Sequence, residues 1–303
     1  MKTICKKYTP ADYDGIIGFF RELHKTSNHT QYWLPQRFEY AEFFIALLHK
    51  NRGVKIDWKE TIFLWEDEKG KVVALLCSES PDENIFIFTL PKYRQLEEEM
   101  IHKAEKVIKE IVKQNTIKLW SDDSDTFRNL TLVNLGYTKN EEVEYLNWID
   151  LKEAIPEFRL PEGYTVHNMV DETGLDLQHK IDKITAAFDS PTYPVEIYRN
   201  LQKGPSYRKD FDLYTTDSKG DVVSFCIIWI EPELNVGYIE PVGTDAQHRK
   251  KGLARATINV GLHRLKQAGI NKAFVGSYGN DRMNFYDVSG FTNRITLHTW
   301  SRQ

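Results

Sequence analysis

Cysteine is scarce in this chain, and long apolar runs are missing. The three cysteines, Cys5, Cys77 and Cys226, are odd in number, far apart and without a Cys-x-x-Cys pair. Disulfide frameworks and zinc sites need paired or closely spaced cysteines, so neither is expected, no metal is assigned, and a reduced cytoplasm fits. No apolar run reaches the roughly 18 residues of a membrane helix, and no apolar core follows the N-terminal lysines. We therefore expect a cytoplasmic protein without a signal peptide or a membrane partner.

An excess of positive charge is also missing. The chain has 40 Lys and Arg against 44 Asp and Glu, which gives a formal net charge of −4. Proteins that bind nucleic acid or anionic membranes present extended basic surfaces. No nucleic-acid partner is expected, and any site for an anion must be local. A nucleic-acid binder that uses the short basic run His248–Lys251 is an alternative, and it would require salt-sensitive DNA binding.

Length and internal repetition indicate two domains. With 303 residues, 41% of them hydrophobic, the chain can form two domains with cores of their own. Segments of the first half recur in the second half in the same order and at nearly constant offsets, which predicts two copies of one fold. We expect a first domain over residues 1–150, a linker over 151–163 and a second domain over 164–303. The recurring segments are Asp67–Val73 with Asp217–Val223, Arg94 with Arg249, and Leu135–Tyr137 with Ser289–Phe291.

Hydrophobic periodicity predicts the same order of elements in each copy. A strand, helices, three strands, a long helix, a strand, a short helix and a last β region follow one another. The long helix is predicted over residues 95–114 in the first copy and over 250–267 in the second. The expected fold class is mixed α/β, or α+β, with helices on both faces of each sheet.

The stretch Ile239–Arg255 combines a predicted strand, a polar turn and the start of a helix. Arg249, Gly252 and Ala254 fall where the first helical turn would begin. The free N–H groups and the positive dipole end of a helix attract phosphate there, and a glycine lets the backbone approach closely. The alternative is an ordinary strand–helix turn with a solvated basic run.

This stretch resembles the acyl-CoA pyrophosphate loop of the GCN5-related N-acetyltransferase (GNAT) family, in which the pattern is Q/R-x-x-G-x-G/A. A second segment, Asn280–Phe291, resembles that family's Asn-x5-Tyr-x3-Gly-Phe segment. The two in this order, about 30 residues apart, are much more specific than either alone. The resemblance covers residues 160–303 by motif and element order, and residues 1–150 by topology and repeat. It implies two tandem acyl-CoA N-acyltransferase domains that use acetyl-CoA.

The resemblance also implies which residues hold CoA. Backbone N–H groups from Arg249 to Arg255 would bind the pyrophosphate, with charge added by basic side chains in this run. The main chain of the preceding strand would align the pantetheine arm and polarise the thioester, and Asn280 would hydrogen-bond the pantetheine. The implied CoA-binding residues are Val242, Gly243, Thr244, Arg249, Lys250, Lys251, Gly252, Leu253, Ala254, Arg255 and Asn280.

Two residues are candidates for proton transfer. Tyr286 matches the family's general acid, which protonates the leaving thiolate, and a phenol is neutral at pH 7 as that role requires. The alternative is a tyrosine with its ring in the core and its hydroxyl in water. Glu240 is the candidate base, directly or through water, because it precedes Val242 by two residues on a strand and so shares its face. The alternative is an exposed edge carboxylate.

The region Phe188–Tyr198 is a candidate acceptor pocket, because aromatic rings with one acid can hold an amine. Its members can equally be core and turn residues.

The first copy has Glu97, Glu98 and Glu99 at the pyrophosphate turn, and it has Leu132 and Thr126 at the positions of Tyr286 and Asn280. Carboxylates would repel a pyrophosphate, so the first copy is expected to be degenerate.

The expected function is transfer of an acetyl or other acyl group from CoA to an amine of a small molecule, directly in a ternary complex. The alternative is a non-catalytic acyl-CoA-binding or scaffold protein. CoA binding without turnover would select the non-catalytic protein over the acyltransferase.

Overall fold

The structure is a computed structural model that describes residues 2–27, 30–279 and 282–302. The first copy contains β1 (Thr3–Lys7), α1 (Tyr13–Thr26), α2 (Pro35–Tyr40), α3 (Ala46–Asn51), β2 (Phe63–Asp67), β3 (Val72–Cys77), β4 (Asn84–Thr89), α4 (Glu97–Val107), β5 (Ile117–Asp122), α5 (Thr126–Asn134) and β6 (Thr138–Asp150). The second copy contains β7 (Thr165–Asn168), α6 (Leu177–Ala187), α7 (Val195–Leu201), β8 (Asp212–Thr216), β9 (Val222–Glu231), β10 (Val236–Thr244), α8 (Leu253–Gln267), β11 (Lys272–Tyr278), α9 (Met283–Val288) and β12 (Asn293–Arg302).

The chain forms two compact units, and the first consists of Met1–Tyr145 with Ile295–Gln303. Its strand order is β1-β2-β3-β4-β5-β12-β6, to which β6 contributes residues 138–145. β4 runs parallel to β5, and Leu297 to Arg302 of β12 pair antiparallel with β5. The C-terminal strand therefore belongs to the unit built by the first copy.

The second unit is Leu146–Arg294. Its strand order is β6-β11-β10-β9-β8-β7, in which β10 is parallel to β11 and antiparallel to β9. α8 packs on this sheet through a buried stripe that includes Ile258, Leu262 and Leu265. The predicted mixed sheet with flanking helices is thus present in each unit.

The segment 151–163, expected to be a linker, packs on the second unit. Leu151 and Ile155 are buried in its core, and the backbone N–H of Leu151 bonds to the carbonyl of Asn271 at 2.7 Å. Burying apolar side chains is favourable, so the apolar residues of this segment oppose a fully solvated path. No helix in the described part of the chain has the length and apolarity required to cross a bilayer.

The internal repeat is visible in the hydrogen bonds of matching turns. In the β2–β3 hairpin, one carboxylate oxygen of Asp67 accepts from the N–H groups of Lys69 and Lys71. In the β8–β9 hairpin, Asp217 accepts in the same way from Lys219 and Asp221. The glycine of each turn has a positive φ, 77° for Gly70 and 89° for Gly220, which glycine adopts without steric cost. The offset of 150 read from the sequence therefore joins structurally equivalent turns.

Matching hydrogen bonds are also present near the two other recurring segments, those at Arg94 and Arg249 and at the ends of α5 and α9. The backbone N–H of Leu90 bonds to the carbonyl of Val73, as that of Asp245 bonds to the carbonyl of Val223. At the end of α5 the N–H of Tyr137 reaches the carbonyl of Leu132, and at the end of α9 the N–H of Phe291 reaches that of Tyr286. Leu132 is therefore the structural equivalent of Tyr286.

Candidate functional site

The candidate site begins where β10 parts from β11. The parallel pairing joins Val236–Ile239 to Lys272–Val275, and a bulge in the pairing with β9 follows between Ile239 and Val242. Pro241 lies in this bulge, which suits a residue that has no N–H for the ladder. The bulge reshapes β10 at the point where the parallel pairs end. A cavity of about 450 Å³ lies beside the following residues of β10.

The cavity brings together residues from both predicted motifs. Arg249 and Ala254 come from the turn after β10, and Tyr286 comes from α9. Phe188 and Asp189, which were expected in an acceptor pocket, also line this cavity. Tyr198, from the same expected pocket, is instead buried, and its hydroxyl forms hydrogen bonds with Lys180 and Asp212. The lining residues are Ala187, Phe188, Asp189, Val242, Gly243, Thr244, Arg249, Ala254, Arg282, Phe285 and Tyr286.

Ala187, Arg282 and Phe285 were not predicted from the sequence. Arg282 and Phe285 lie inside the segment Asn280–Phe291, so its basic and aromatic residues were a signal that could have found them. Ala187 ends α6, and no sequence pattern marks it as a neighbour of the turn. Its carbonyl accepts a hydrogen bond from Arg249 Nη2 at 3.1 Å.

Gly243 has a packing role in the strand wall. A Cβ at this position would lie 2.5 Å from the ring of Phe225, so the residue must lack a side chain. Its carbonyl accepts from Ser224 Oγ at 2.8 Å, and that hydroxyl lies 3.1 Å from Thr244 Oγ1. These contacts fix the part of β10 whose main chain borders the cavity.

The turn between β10 and α8 is held at both ends. Asp245 caps a short 3-10 turn by accepting from the N–H of Gln247, and it forms an ion pair of 2.7 Å with Lys183. The guanidinium of Arg249 donates to two carbonyl oxygens, those of Thr244 and Ala187. Both acceptors are neutral, so Arg249 keeps its positive charge at the cavity wall.

Two left-handed residues open the backbone before α8. Lys250 has φ 62° and Gly252 has φ 78°, and the helix predicted from Lys250 therefore starts at Leu253. The first internal bond of this helix runs from the N–H of Ala256 to the carbonyl of Gly252. The N–H groups of the first helical turn are consequently available, and alternating handedness of this kind forms concave anion sites.

The four basic side chains of this turn are not neutralised. Among the described residues, Arg249, Lys250, Lys251 and Arg255 have no carboxylate partner. Lys251 instead donates to the hydroxyl of Tyr164, and Arg255 stacks on the ring of Phe158 at 4.6 Å. A turn with unpaired positive charge and free N–H groups fits a diphosphate.

The structure explains in different ways why residue 252 is a glycine and residue 253 a leucine. A Cβ on Gly252 would overlap the ring of Phe158, so the glycine is needed both for its left-handed φ and for this close approach. Leu253 is 1% exposed, and its side chain belongs to the core. Its expected contribution to a phosphate site is therefore restricted to its N–H group.

Tyr286 lies against the core and borders the cavity. Its ring is 6% exposed and contacts Phe285 and Phe291 edge-on. Burial raises the pKa of the Tyr286 phenol well above its usual value, and the charge of Glu240 raises it further. The phenol is therefore protonated throughout the physiological pH range.

Glu240 does not have the strand geometry that was expected for the candidate base. Glu240 lies within the bulge between Ile239 and Val242, so the two-residue alternation that would place Glu240 and Val242 on one face does not apply. Its carbonyl accepts from Trp229 Nε1 at 2.8 Å, and its carboxylate acts on Tyr286 through its charge. Asn280 lies outside the described residues.

The equivalent turn of the first copy is built differently. The backbone continues without a left-handed residue into α4, because Glu97, at the position of Gly252, is helical with φ −60°. Glu97 is fully buried, and it accepts from Thr89 and from both Nε and Nη2 of Arg128. Three repelling carboxylates were expected at this turn, but only that of Glu97 is buried there. Glu98 is exposed, and Glu99 accepts from Trp65 Nε1 at 2.7 Å, because successive helix residues point in different directions.

Comparison with known proteins gives the same assignment for the second copy. The model of the acetyltransferase (GNAT) family matches residues 179–291. Over 207 residues, the chain is 22% identical to mycothiol acetyltransferase of Saccharomonospora viridis, a match that covers 62% of this chain and 67% of that protein.

Solved structures resemble this chain over nearly its whole length, and two of them are described here. A GCN5-related N-acetyltransferase from Sphaerobacter thermophilus has a TM-score of 0.67 at 18% identity, over 99% of this chain and 95% of that one. A tandem GNAT protein from the clavulanic acid biosynthesis pathway has a TM-score of 0.68 at 11% identity, over 99% and 98% of the two chains. At these identities the likeness shows the fold, and it confirms the predicted tandem arrangement. Residues 179–291 match the GNAT acetyltransferase family, and the whole chain has the fold of two tandem domains of that kind.

Proposed function

We propose that the second copy transfers an acetyl or other acyl group from CoA to an amine of a small molecule, directly in a ternary complex. One observation carries this proposal. The uncompensated basic turn and the protonated Tyr286 border one cavity, which Arg249, Ala254 and Tyr286 all line. An acyl-CoA with its diphosphate at the turn would reach Tyr286 with the sulfur end.

The turn would bind CoA through its first-turn N–H groups and its basic side chains. Gly252 leaves room for close approach, and Val242 to Thr244 would hold the pantetheine arm along the strand. Aligning the thioester in this way makes the attack effectively unimolecular. The family resemblance adds Asn280 as a further hydrogen-bonding partner of the pantetheine.

The proton transfers can be assigned to two residues. As the amine nitrogen bonds to the thioester carbon, its proton passes to Glu240, directly or through water. As the carbon–sulfur bond breaks, Tyr286 gives its proton to the thiolate. Because the charge of Glu240 is one cause of the raised pKa of Tyr286, a proton taken up by Glu240 would lower that pKa when the thiolate needs a donor.

Phe188 and Asp189 are the proposed contacts of the acceptor. The ring of Phe188 is 45% exposed, and Asp189 lines the cavity next to it. An aromatic face and a carboxylate together bind an ammonium group before it loses its proton.

A thiol-release assay with acetyl-CoA and a panel of amines, amino acids, aminoglycosides and peptides tests the proposal. We expect CoA to appear stoichiometrically with an N-acetylated product for at least one small amine. Binding of acetyl-CoA without thiol release for any acceptor would instead select the non-catalytic alternative.

A further inference from the structure

The first unit has a cavity of its own, of about 240 Å³, which the proposed function does not use. It lies at the position equivalent to the candidate site, between the end of β4 and the end of β5 and beside α5. Six of its lining residues carry the argument: Tyr32, Phe86, Arg94, Trp120, Asp122 and Arg128.

Aromatic rings form one wall of this cavity. The rings of Tyr32 and Phe86 stack with centroids 5.8 Å apart and an angle of 20° between their planes. Phe86 and Trp120 follow at 6.1 Å and 4°. The guanidinium of Arg37 already lies over the rings of Tyr32 and Phe86, 4.6 and 5.3 Å from their centroids, so this wall offers a ligand mainly apolar contact.

The two arginines of the cavity are already neutralised. Arg94 lies 2.6 Å from Glu97 and 2.6 Å from Asp125, and Arg128 bonds to both carboxylate oxygens of Glu97. Two positive charges are thus matched by two carboxylates. This pairing removes the attraction that an anionic ligand would need.

Asp122 is the carboxylate left over from this pairing. Its Oδ1 accepts from the N–H and the hydroxyl of Ser124, at 2.8 and 2.9 Å. Its Oδ2 is buried, and among the described residues no group donates to it. Its charge contributes to the raised pKa of Arg128, after the larger effects of Glu97 and Asp125, but that guanidinium bonds to Glu97. A buried carboxylate oxygen without a donor is costly, and a ligand with N–H groups would relieve that cost.

Tyr32 supplies a second polar atom without a partner. The residue is 4% exposed, and within residues 2–27, 30–279 and 282–302 its hydroxyl has no hydrogen-bonding partner. A phenol can donate or accept, so it can serve a polar group of a ligand.

We propose that this cavity binds a small organic cation, a primary ammonium attached to a flat or aromatic group. The ammonium would donate to Asp122 Oδ2, and the flat group would lie against the wall of Tyr32, Phe86 and Trp120. A cavity of about 150 Å³ holds benzene, so 240 Å³ suits a ligand about the size of benzylamine. The first copy would thus be a ligand-binding domain of different specificity, with Glu97 filling the anion position.

Calorimetric titration of the full chain with benzylamine tests the proposal, with benzyl alcohol and benzoate as probes of the same shape. We expect benzylamine to bind at least about tenfold more tightly than either one. Asp122→Asn should weaken benzylamine at least tenfold, since the amide keeps an oxygen for Ser124 but lacks the charge. Equal binding of benzoate, or unchanged affinity in Asp122→Asn, would overturn the proposal.

Two matched variants distinguish the cavities. Asp123→Asn changes the neighbouring exposed carboxylate, which pairs with Lys139 and His298, and should leave benzylamine binding unchanged. Asp189→Asn changes the second-copy cavity and should also leave it unchanged. Loss of binding in Asp189→Asn but not in Asp122→Asn would assign the ligand to the acceptor site and reject the first-unit site.

A second variant guards against misfolding. If Asp122→Asn loses its cooperative thermal transition, Ser27→Trp fills the cavity from a partly exposed position instead. We expect it to abolish benzylamine binding while the acetyl-CoA affinity of the second copy is retained. Retained benzylamine affinity in a folded Ser27→Trp protein would contradict the proposal.

Discussion

Arg94 and Arg249 occupy equivalent turns, yet their guanidinium groups have different partners. Arg249 donates to the carbonyl oxygens of Thr244 and Ala187, whereas Arg94 lies against the carboxylates of Glu97 and Asp125. An ion pair at close range cancels most of the field that a more distant phosphate would experience. Arginine at these two equivalent positions therefore has an uncompensated charge in one copy and forms internal ion pairs in the other.

Tyr286→Phe tests the general acid. The substitution keeps the ring that packs against Phe285 and Phe291, so folding should be little affected. We expect kcat to fall about 10²-fold or more, with a modest change in KM for acetyl-CoA, because only the proton donor is lost. Steady-state kinetics measure both constants.

Tyr137→Phe is the matched control for Tyr286→Phe. It removes a hydroxyl that donates to Glu105 at 2.9 Å in the first unit. Stability should fall by about 1 kcal/mol while kcat stays unchanged. If Tyr286→Phe keeps kcat within a few-fold of wild type, the tyrosine is a core residue and another group protonates the thiolate.

Gly252→Asp tests the proposed diphosphate turn. A carboxylate would meet the phosphates, so acetyl-CoA affinity in calorimetry should be lost. The left-handed φ of 78° and the ring of Phe158 also make the substitution strained, at a cost of about 1 kcal/mol or more. The thermal midpoint should therefore fall by roughly 2–4 °C.

Gly269→Asp separates strain from binding. Gly269 has φ 79° at the far end of α8, and a Cβ there meets nothing within 4 Å. We expect a similar loss of midpoint with acetyl-CoA affinity unchanged. Equal affinity in wild type and Gly252→Asp would reject the turn as the CoA site.

At the scale of elements, the loop before α6 is tied to the neighbouring helices by Glu172. Its carboxylate accepts from Arg199 at 2.6 Å and from Lys209 at 2.8 Å. The hydrogen bond from Arg199, followed by that from Lys209, lowers the pKa of Glu172 to about 2 from its ordinary 4.5. α7, which carries Arg199, begins within the region Phe188–Tyr198, so this tie fixes the helix that ends the candidate acceptor region.

The pH dependence of this tie can be predicted. A carboxylate with a lowered pKa stabilises the folded state above its ordinary pKa, and the contribution is lost as the pH falls through the lowered value. Glu172→Gln should therefore reduce stability at pH 7, by about 0.5–1 kcal/mol because Arg199 and Lys209 are partly exposed. The difference from wild type should shrink between pH 4.5 and 2.

Thermal unfolding of both proteins across this pH range measures the effect. Glu162→Gln, at an exposed glutamate without an ion pair among the described residues, is the control and should match wild type throughout. A destabilisation by Glu172→Gln that is independent of pH would show that packing rather than charge is responsible.

At the scale of the whole molecule, two copies of one fold carry different turns. Lys250 and Gly252 interrupt the chain before α8 with left-handed residues, whereas the matching part of the first copy continues into α4. The first is a concavity lined by N–H groups, and the second is filled by the buried Glu97 carboxylate. The repeat thus keeps the scaffold, whereas the two turns differ in backbone conformation and in charge.

We therefore predict one acetyl-CoA per chain. Isothermal titration of the full protein should give a stoichiometry near one, because Glu97 occupies the anion position of the first copy and is held by Arg128. Gly252→Asp should reduce the stoichiometry to zero. A stoichiometry of two, or tight binding left in that variant, would show that the first copy also binds acyl-CoA.

The sequence predicted the order of elements, the repeat and the family, because these depend on local periodicity and on short motifs. The Asp67 and Asp217 turns, with their Lys-Gly pairs, are determined within a few residues, and the structure has them alike. The positive φ at Gly252 is likewise a local feature, because glycine adopts a left-handed backbone without steric cost.

Other features depend on contacts between distant parts of the chain, and only the tertiary structure decided them. β12 lies beside β5 in the first unit, residues 151–163 pack on the second unit, and Ala187 meets Arg249 across 62 positions. The charge of Glu97 is likewise visible in the sequence, but its burial between two arginines is not. Pairing and burial are set by which surfaces meet, and no local pattern of residues contains that information.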